Sequence, residues 1–153
     1  MRTDALPFAF ALIVLVLGAA CEELLPKFFG VGFPVLLTVV QIAAVRRRGL
    51  WAAAVVALAA GALEDALSSL PPMTSASYFL AVAALIRWSG LPRAAIVLTY
   101  PAYQLWLAAW TGGLGGEVFG RMLLSFPLGV VTAGAAGFLV TWAERRAAVD
   151  ESD

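Results

Sequence analysis

The sequence predicts an all-α membrane protein of six transmembrane helices, N-in and C-in. Three observations carry this. Of the 153 residues, 62% are hydrophobic and 13% charged, about half the charge of an ordinary soluble domain, and the mean hydropathy is +0.92. Long apolar runs are broken by short segments at 22–32, 46–50, 64–76, 87–93 and 112–121. The basic residues are one-sided when these breaks are assigned alternately to the two membrane faces. Arg2, Arg46, Arg47, Arg48, Arg87, Arg93, Arg145 and Arg146 then share a side, and Lys27 and Arg121 lie opposite. The ten acids divide evenly. Lys and Arg in short loops set orientation while carboxylates count for little, so the arginine-rich side is cytoplasmic.

Composition also bounds function. A single polytopic domain, 1–153, leaves no room for a separate soluble one. Zero net charge argues against nucleic acid as a partner, and membrane lipid is the expected surroundings. Cys21 is alone, so no internal disulfide can form, and without histidine most metal and proton-shuttle chemistry is lost. No cofactor is expected. The segment Met1–Glu23 imitates a secretion signal, ending in Leu17-Gly18-Ala19-Ala20-Cys21. Gly18 stands where a lipoprotein cleavage box wants a large aliphatic residue, and Arg2 is offset by Asp4, so a retained first helix is expected.

Taken in order, helix 1 is expected over about 6–25 and helix 2 over about 33–45. Thirteen residues reach only ~20 Å of a ~30 Å hydrocarbon core. Helix 2 is therefore expected either to start earlier, near Lys27, with Gly30, Gly32 and Pro34 bending its outer end, or to be partly re-entrant. Helix 3 is expected over about 50–70 and helix 4 over about 75–88, separated by Pro71-Pro72, which stops one helix and forces an extended turn before the next. Helix 5 is expected over about 93–110, closed by the glycine cluster at 112–116. Helix 6 is expected over about 118–142, with a polar cytoplasmic tail from about 143 that is too short to fold. Trp88, Trp106, Trp110 and Trp142 lie near these ends, where an aromatic belt belongs.

Two helices carry small residues at four-residue spacing: Ser125, Gly129, Ala133, Gly137 and Thr141 on helix 6, and Ala53, Ala57 and Gly61, followed by Asp65, on helix 3. Small residues four apart let helix backbones approach closely in lipid, making a packing seam or a partner-docking groove. The abundance of Ala and Gly is the plainer explanation. Asp65 falls in the outer leaflet or at its surface, either as a solvated loop acid or as a group bonding the helix 4 backbone around Ser75–Ser77 or a partner protein. Glu22 and Glu23 beside Lys27 read as a solvated surface cluster. Gln104, three residues after Pro101 and near Tyr100 and Tyr103, is a candidate for a polar pocket or an interhelical hydrogen bond at a kink; Gln41 is similar. Pro101 frees the Val97 carbonyl from its helical bond. The glycines at 112–116 follow a helix and lack the Lys-Ser/Thr pair of a phosphate cradle. No catalytic residues are expected.

The stretch from Phe33-Pro34-Val35-Leu36-Leu37 to Ala43-Ala44-Val45-Arg46-Arg47-Arg48, followed by Gly61-Ala62-Leu63-Glu64-Asp65-Ala66-Leu67-Ser68-Ser69-Leu70-Pro71, resembles the rod shape-determining protein family MreD. A Pro heads helix 2, a basic turn follows, and Gly-x-x-x-Asp ends helix 3. The resemblance covers about residues 33–88, with Val35 in place of the polar residue common after the Pro. It implies a non-catalytic inner-membrane scaffold of the bacterial cell-elongation complex. Its partners would be an MreC-like bitopic protein and, indirectly, MreB-like filaments and cell-wall synthases. Members are similar in fold to the substrate-binding subunits of energy-coupling-factor vitamin transporters, which supplies the alternative function. Such subunits usually carry Ala-x-x-x-Ala on helix 1; Ala5 and Ala9 have that spacing, interrupted by Pro7.

Overall fold

The computed structural model describes residues 5–29, 34–45, 50–68, 70–89, 96–112 and 116–150. These form six helices: α1 Ala5–Phe29, α2 Val35–Val45, α3 Leu50–Ser68, α4 Thr74–Ser89, α5 Thr99–Thr111 and α6 Gly116–Asp150. The described residues contain no strand. Gly30 and Gly32, Arg46 to Arg48, Arg93 and Gly113 to Gly115 lie outside them, as do the side chains of Ala5, Ala9, Ala133, Gly137, Thr141 and Trp142.

The shortest helix is the central one. α2 packs against α1, α3, α4 and α6, and Leu36, Leu37, Thr38, Val40, Gln41 and Ala44 are all buried. A helix apolar nearly all round is one meant to be enclosed. Lys27 belongs to α1, so α2 does not begin there as expected. It begins after buried Pro34, whose fixed φ suits a helix start and whose missing N–H is not needed there. Its 11 residues rise about 16 Å, half of a hydrocarbon core.

α3 and α4 make the most extensive helix pair. Ala53, Ala57, Gly61 and Asp65 all face inward, so the small-residue spacing on α3 is a packing seam. Ala60 is buried beside them. A Cβ added to Gly61 would stand 2.2 Å from Ala76 Cα and 2.5 Å from Ala76 N. No side chain fits between those backbones.

α3 also contains Trp51–Ser68, 18 residues with a mean hydropathy of 1.4, long and apolar enough to cross a membrane. Val35–Val45 and Val118–Thr132 are shorter apolar stretches.

α6 packs on α5 and touches α2. Ser125 and Gly129 face inward; a Cβ on Gly129 would lie 2.5 Å from Tyr100 Cδ2, so the small residue makes room for that ring. Gly134, five residues on, meets nothing within 4 Å. The helix continues beyond Trp142 to Asp150, so the segment expected to be an unfolded tail is largely helical. Ala143-Glu144-Arg145-Arg146-Ala147-Ala148 contains only strong helix formers and adds no Gly or Pro to stop it.

α5 begins at Thr99 after a turn in which Tyr100 N–H donates to Val97 O at 3.2 Å; the start expected near residue 93 lies outside the described residues. The Val97 carbonyl that Pro101 denies a helical donor is thereby satisfied. Pro101 falls in the first turn of α5, where its lost N–H costs little, so it marks the start of the helix and not a kink in its middle.

Candidate functional site

The polar side chains of the interior gather in two layers. One layer, at the end of the bundle where α3 gives way to α4, begins with Asp65 in the last turn of α3. Its Oδ1 accepts the Ser75 N–H at 2.7 Å and Oδ2 the Ala76 N–H at 3.5 Å. These are first-turn amides of α4, which no carbonyl of the same helix can reach. A carboxylate there satisfies donors and complements the positive end of the helix dipole. Asp65 is 6% exposed, so the solvated-acid alternative fails and the backbone contact near Ser75 stands.

The turn that brings Asp65 to Ser75 is built by the prolines. Leu70 N–H donates to Asp65 O at 3.3 Å, and both Thr74 N–H and Thr74 Oγ1 donate to Pro71 O, at 3.2 and 2.7 Å. Met73 adopts φ 71°, an uncommon conformation for a residue with a side chain. It lets the chain reverse at Pro72 and Met73, the two central residues of the turn that the Thr74-to-Pro71 bond closes. Tyr103 Oη then pairs with Ser75 Oγ at 2.7 Å, and Trp106 Nε1 donates to Thr74 O at 2.9 Å. The start of α4 is thus held from α3 and α5 together. Trp106, expected in an interfacial belt, instead packs 6.0 Å from the rings of both Tyr78 and Trp110. Trp88 and Trp110 are exposed.

A second acid repeats the arrangement. Glu22 Oε1 on α1 accepts the Leu36 N–H at 3.1 Å, again a first-turn amide of the next helix. The expected surface cluster therefore divides. Glu23 pairs with Lys27 at 3.1 Å in the open, while Glu22 turns inward. The missed signal was helical phase. Leu15, Gly18, Ala19 and Glu22 follow at steps of three and four on the buried side of α1, and one residue further Glu23 rotates about 100° away. Glu64 is half-buried; its Oε1 takes Ser68 Oγ at 3.3 Å and lies 3.5 Å from Tyr103 Oη.

The second layer joins α2, α4 and α5. Tyr100 Oη and Thr38 Oγ1 are 2.6 Å apart, and Tyr100 Oη donates to Gln41 Oε1 at 3.0 Å. Gln41 Nε2 donates to Thr99 Oγ1 at 2.7 Å, Thr99 Oγ1 to Ile96 O at 2.7 Å, and Tyr78 Oη to Thr99 O at 2.5 Å. Gln41 thus makes an interhelical bond. Gln104 is half-buried, and among the described interhelical bonds are those of Gln41, Tyr100 and Tyr103.

Of the residues singled out from sequence, Pro34 immediately precedes α2, Gly61 and Asp65 lie on the α3–α4 seam, and Gly129 backs Tyr100. Ala133 and Gly137 are in α6, with side chains outside the described set. Among the described residues no group of three acids or cysteines is placed to hold a metal ion. The arrangement fastens helices to one another.

The chain matches no protein-family model, no curated protein and no solved structure. The class that the described residues define is an all-helical protein with a helix of membrane-crossing length.

Proposed function

We propose that the chain is a multi-pass protein of the bacterial inner membrane, crossing six times with both termini in the cytoplasm. It serves there as a non-catalytic scaffold of the cell-elongation complex. It would grip an MreC-like bitopic protein and, through it, MreB-like filaments and the cell-wall synthases. The observation that carries the reading is a coincidence of sequence and packing. Gly61 and Asp65, the Gly-x-x-x-Asp element of the family resemblance, are the residues that let α3 touch α4 and cap it. The arginine asymmetry supports the topology.

The competing reading, a vitamin-binding transporter subunit, needs interior polar groups free to meet a ligand. Thr38, Gln41 and Thr99 are engaged with one another through Tyr100 and the Ile96 carbonyl, which favours the scaffold. Depleting the chain in its own host separates the two. Rods that become spheres, with capture of a single-span coiled-coil protein on the tagged chain, would support the scaffold. Unchanged shape with loss of uptake of one vitamin would replace it with transport.

A further inference from the structure

Glu22 and Glu64 meet at the outer end of the α1–α3 seam. Glu22 Oε1 is committed to the Leu36 N–H. Its Oε2 is enclosed and is the one buried side-chain polar atom without a hydrogen-bond partner among the described residues. A second carboxyl, that of Glu64, lies close enough to interact with the Glu22 carboxyl. Among the described residues the surroundings offer no countercharge. On α3, Asp65 is occupied by the α4 amides. On α5, Tyr103 pairs with Ser75 and reaches Glu64 only at 3.5 Å. α2 presents backbone N–H, and the one charged residue of α4, Arg87, stands at its far end. Lys27 is exposed and paired with Glu23, the only ion pair among the described residues.

Two ionised carboxylates in contact repel, and an enclosed oxygen with no donor is costly. A single proton removes both penalties, because one carboxyl then donates to the other. We propose that Glu22 and Glu64 hold one shared proton, and that this proton latches α1 to α3 while Glu22 keeps the head of α2 in place. The fold is thereby coupled to pH at its outer face. The folded chain holds a proton that the unfolded chain releases above the ordinary carboxylate range. Stability contributed by the latch is therefore present at lower pH and lost as pH rises.

The test uses the full-length chain in detergent. Thermal unfolding followed from neutral to mildly alkaline pH should show the wild type losing stability. Glu22→Gln should stay flat, because its amide supplies a donor to Glu64 and still accepts from Leu36. Dicyclohexylcarbodiimide, which adds to protonated carboxyls outside water and leaves a stable N-acylurea, should mark Glu22 or Glu64 in preference to Glu23. That labelling should fade as pH rises. If Glu22→Gln does not fold, the wild-type profile and labelling decide the matter alone. A wild type whose stability is independent of pH, or an adduct no more abundant on the pair than on Glu23, would overturn the latch.

Discussion

Asp65 Oδ1 accepts the Ser75 N–H at 2.7 Å, so an acid ending α3 closes the first turn of α4 across two prolines. Glu22 does the same for Leu36 at the head of α2, at 3.1 Å. In both pairs an acid on one helix caps the first turn of the helix that follows it in the chain. Where water is scarce, an unpaired helix-terminal N–H has few alternatives, and a side chain from the preceding helix is a close source of an acceptor. The two caps hold the central α2 and the α3–α4 pair at the same end of the bundle.

Removing the Asp65 carboxylate should expose its worth. Asp65→Ala leaves the Ser75 and Ala76 amides without acceptors and is expected to cost about 1–3 kcal/mol. Asp65→Asn keeps one oxygen for Ser75 and should lose less than half of that. Thermal unfolding in detergent ranks the three proteins; equal stability of the wild type and Asp65→Ala would mean that α4 starts unaided.

Gly61→Ala is expected to be more damaging than a one-carbon change suggests. The new Cβ would meet Ala76 backbone atoms at 2.2 and 2.5 Å, and backbone cannot swing aside. The helices must part, at the upper end of the roughly 1–3 kcal/mol typical of overpacking. A cysteine pair placed across the α3–α4 seam should crosslink less readily in the variant.

On α6 two glycines make an internal control. Gly129→Ala drives a methyl into the Tyr100 ring, 2.5 Å from Cδ2, while Gly134→Ala meets nothing within 4 Å. The first should destabilise by about 1–3 kcal/mol. The second should be neutral or stabilising by up to about 1 kcal/mol, the difference in helix propensity. Equal effects in an unfolding series would show that Tyr100 does not rest on Gly129.

The parts of this architecture that were legible in sequence are those fixed by local chemistry. Pro71-Pro72 had to break a helix, and an acid just before that break had the new amides of α4 within reach; the spacing of Ala53, Ala57 and Gly61 offered a close seam but left chance abundance equally open. What stayed hidden depended on partners distant in the chain. Glu22 resembled its exposed neighbour Glu23, because a nearby Lys27 offered both a plausible partner. Tyr100 and Tyr103 were noticed only as neighbours of Gln104, yet Ile96, Thr99, Tyr100 and Tyr103 share the buried stripe of the α5 region, and Gln104 stands at its edge. The long α6 was cut short in sequence because charge after Trp142 was read as an end, although helix propensity continued through it.

Tyr100→Phe isolates the second layer. It removes the hydroxyl that contacts Thr38 and Gln41 without changing the ring that rests against Gly129. Interhelical hydrogen bonds between membrane helices average about 0.6 kcal/mol and reach roughly 1.7, so a loss in that range is expected for each bond broken. A double-mutant cycle of Tyr100→Phe with Thr38→Val should give a coupling energy of that size. Strict additivity would mean that the hydroxyls do not interact.

The number of membrane crossings is measured most directly with a reporter active only outside the cytoplasm, fused either after Gly113 or at the C-terminus. Six crossings with both termini inside require activity from the first fusion and none from the second. Activity at the C-terminus with silence after Gly113 would contradict both the topology and the scaffold built on it.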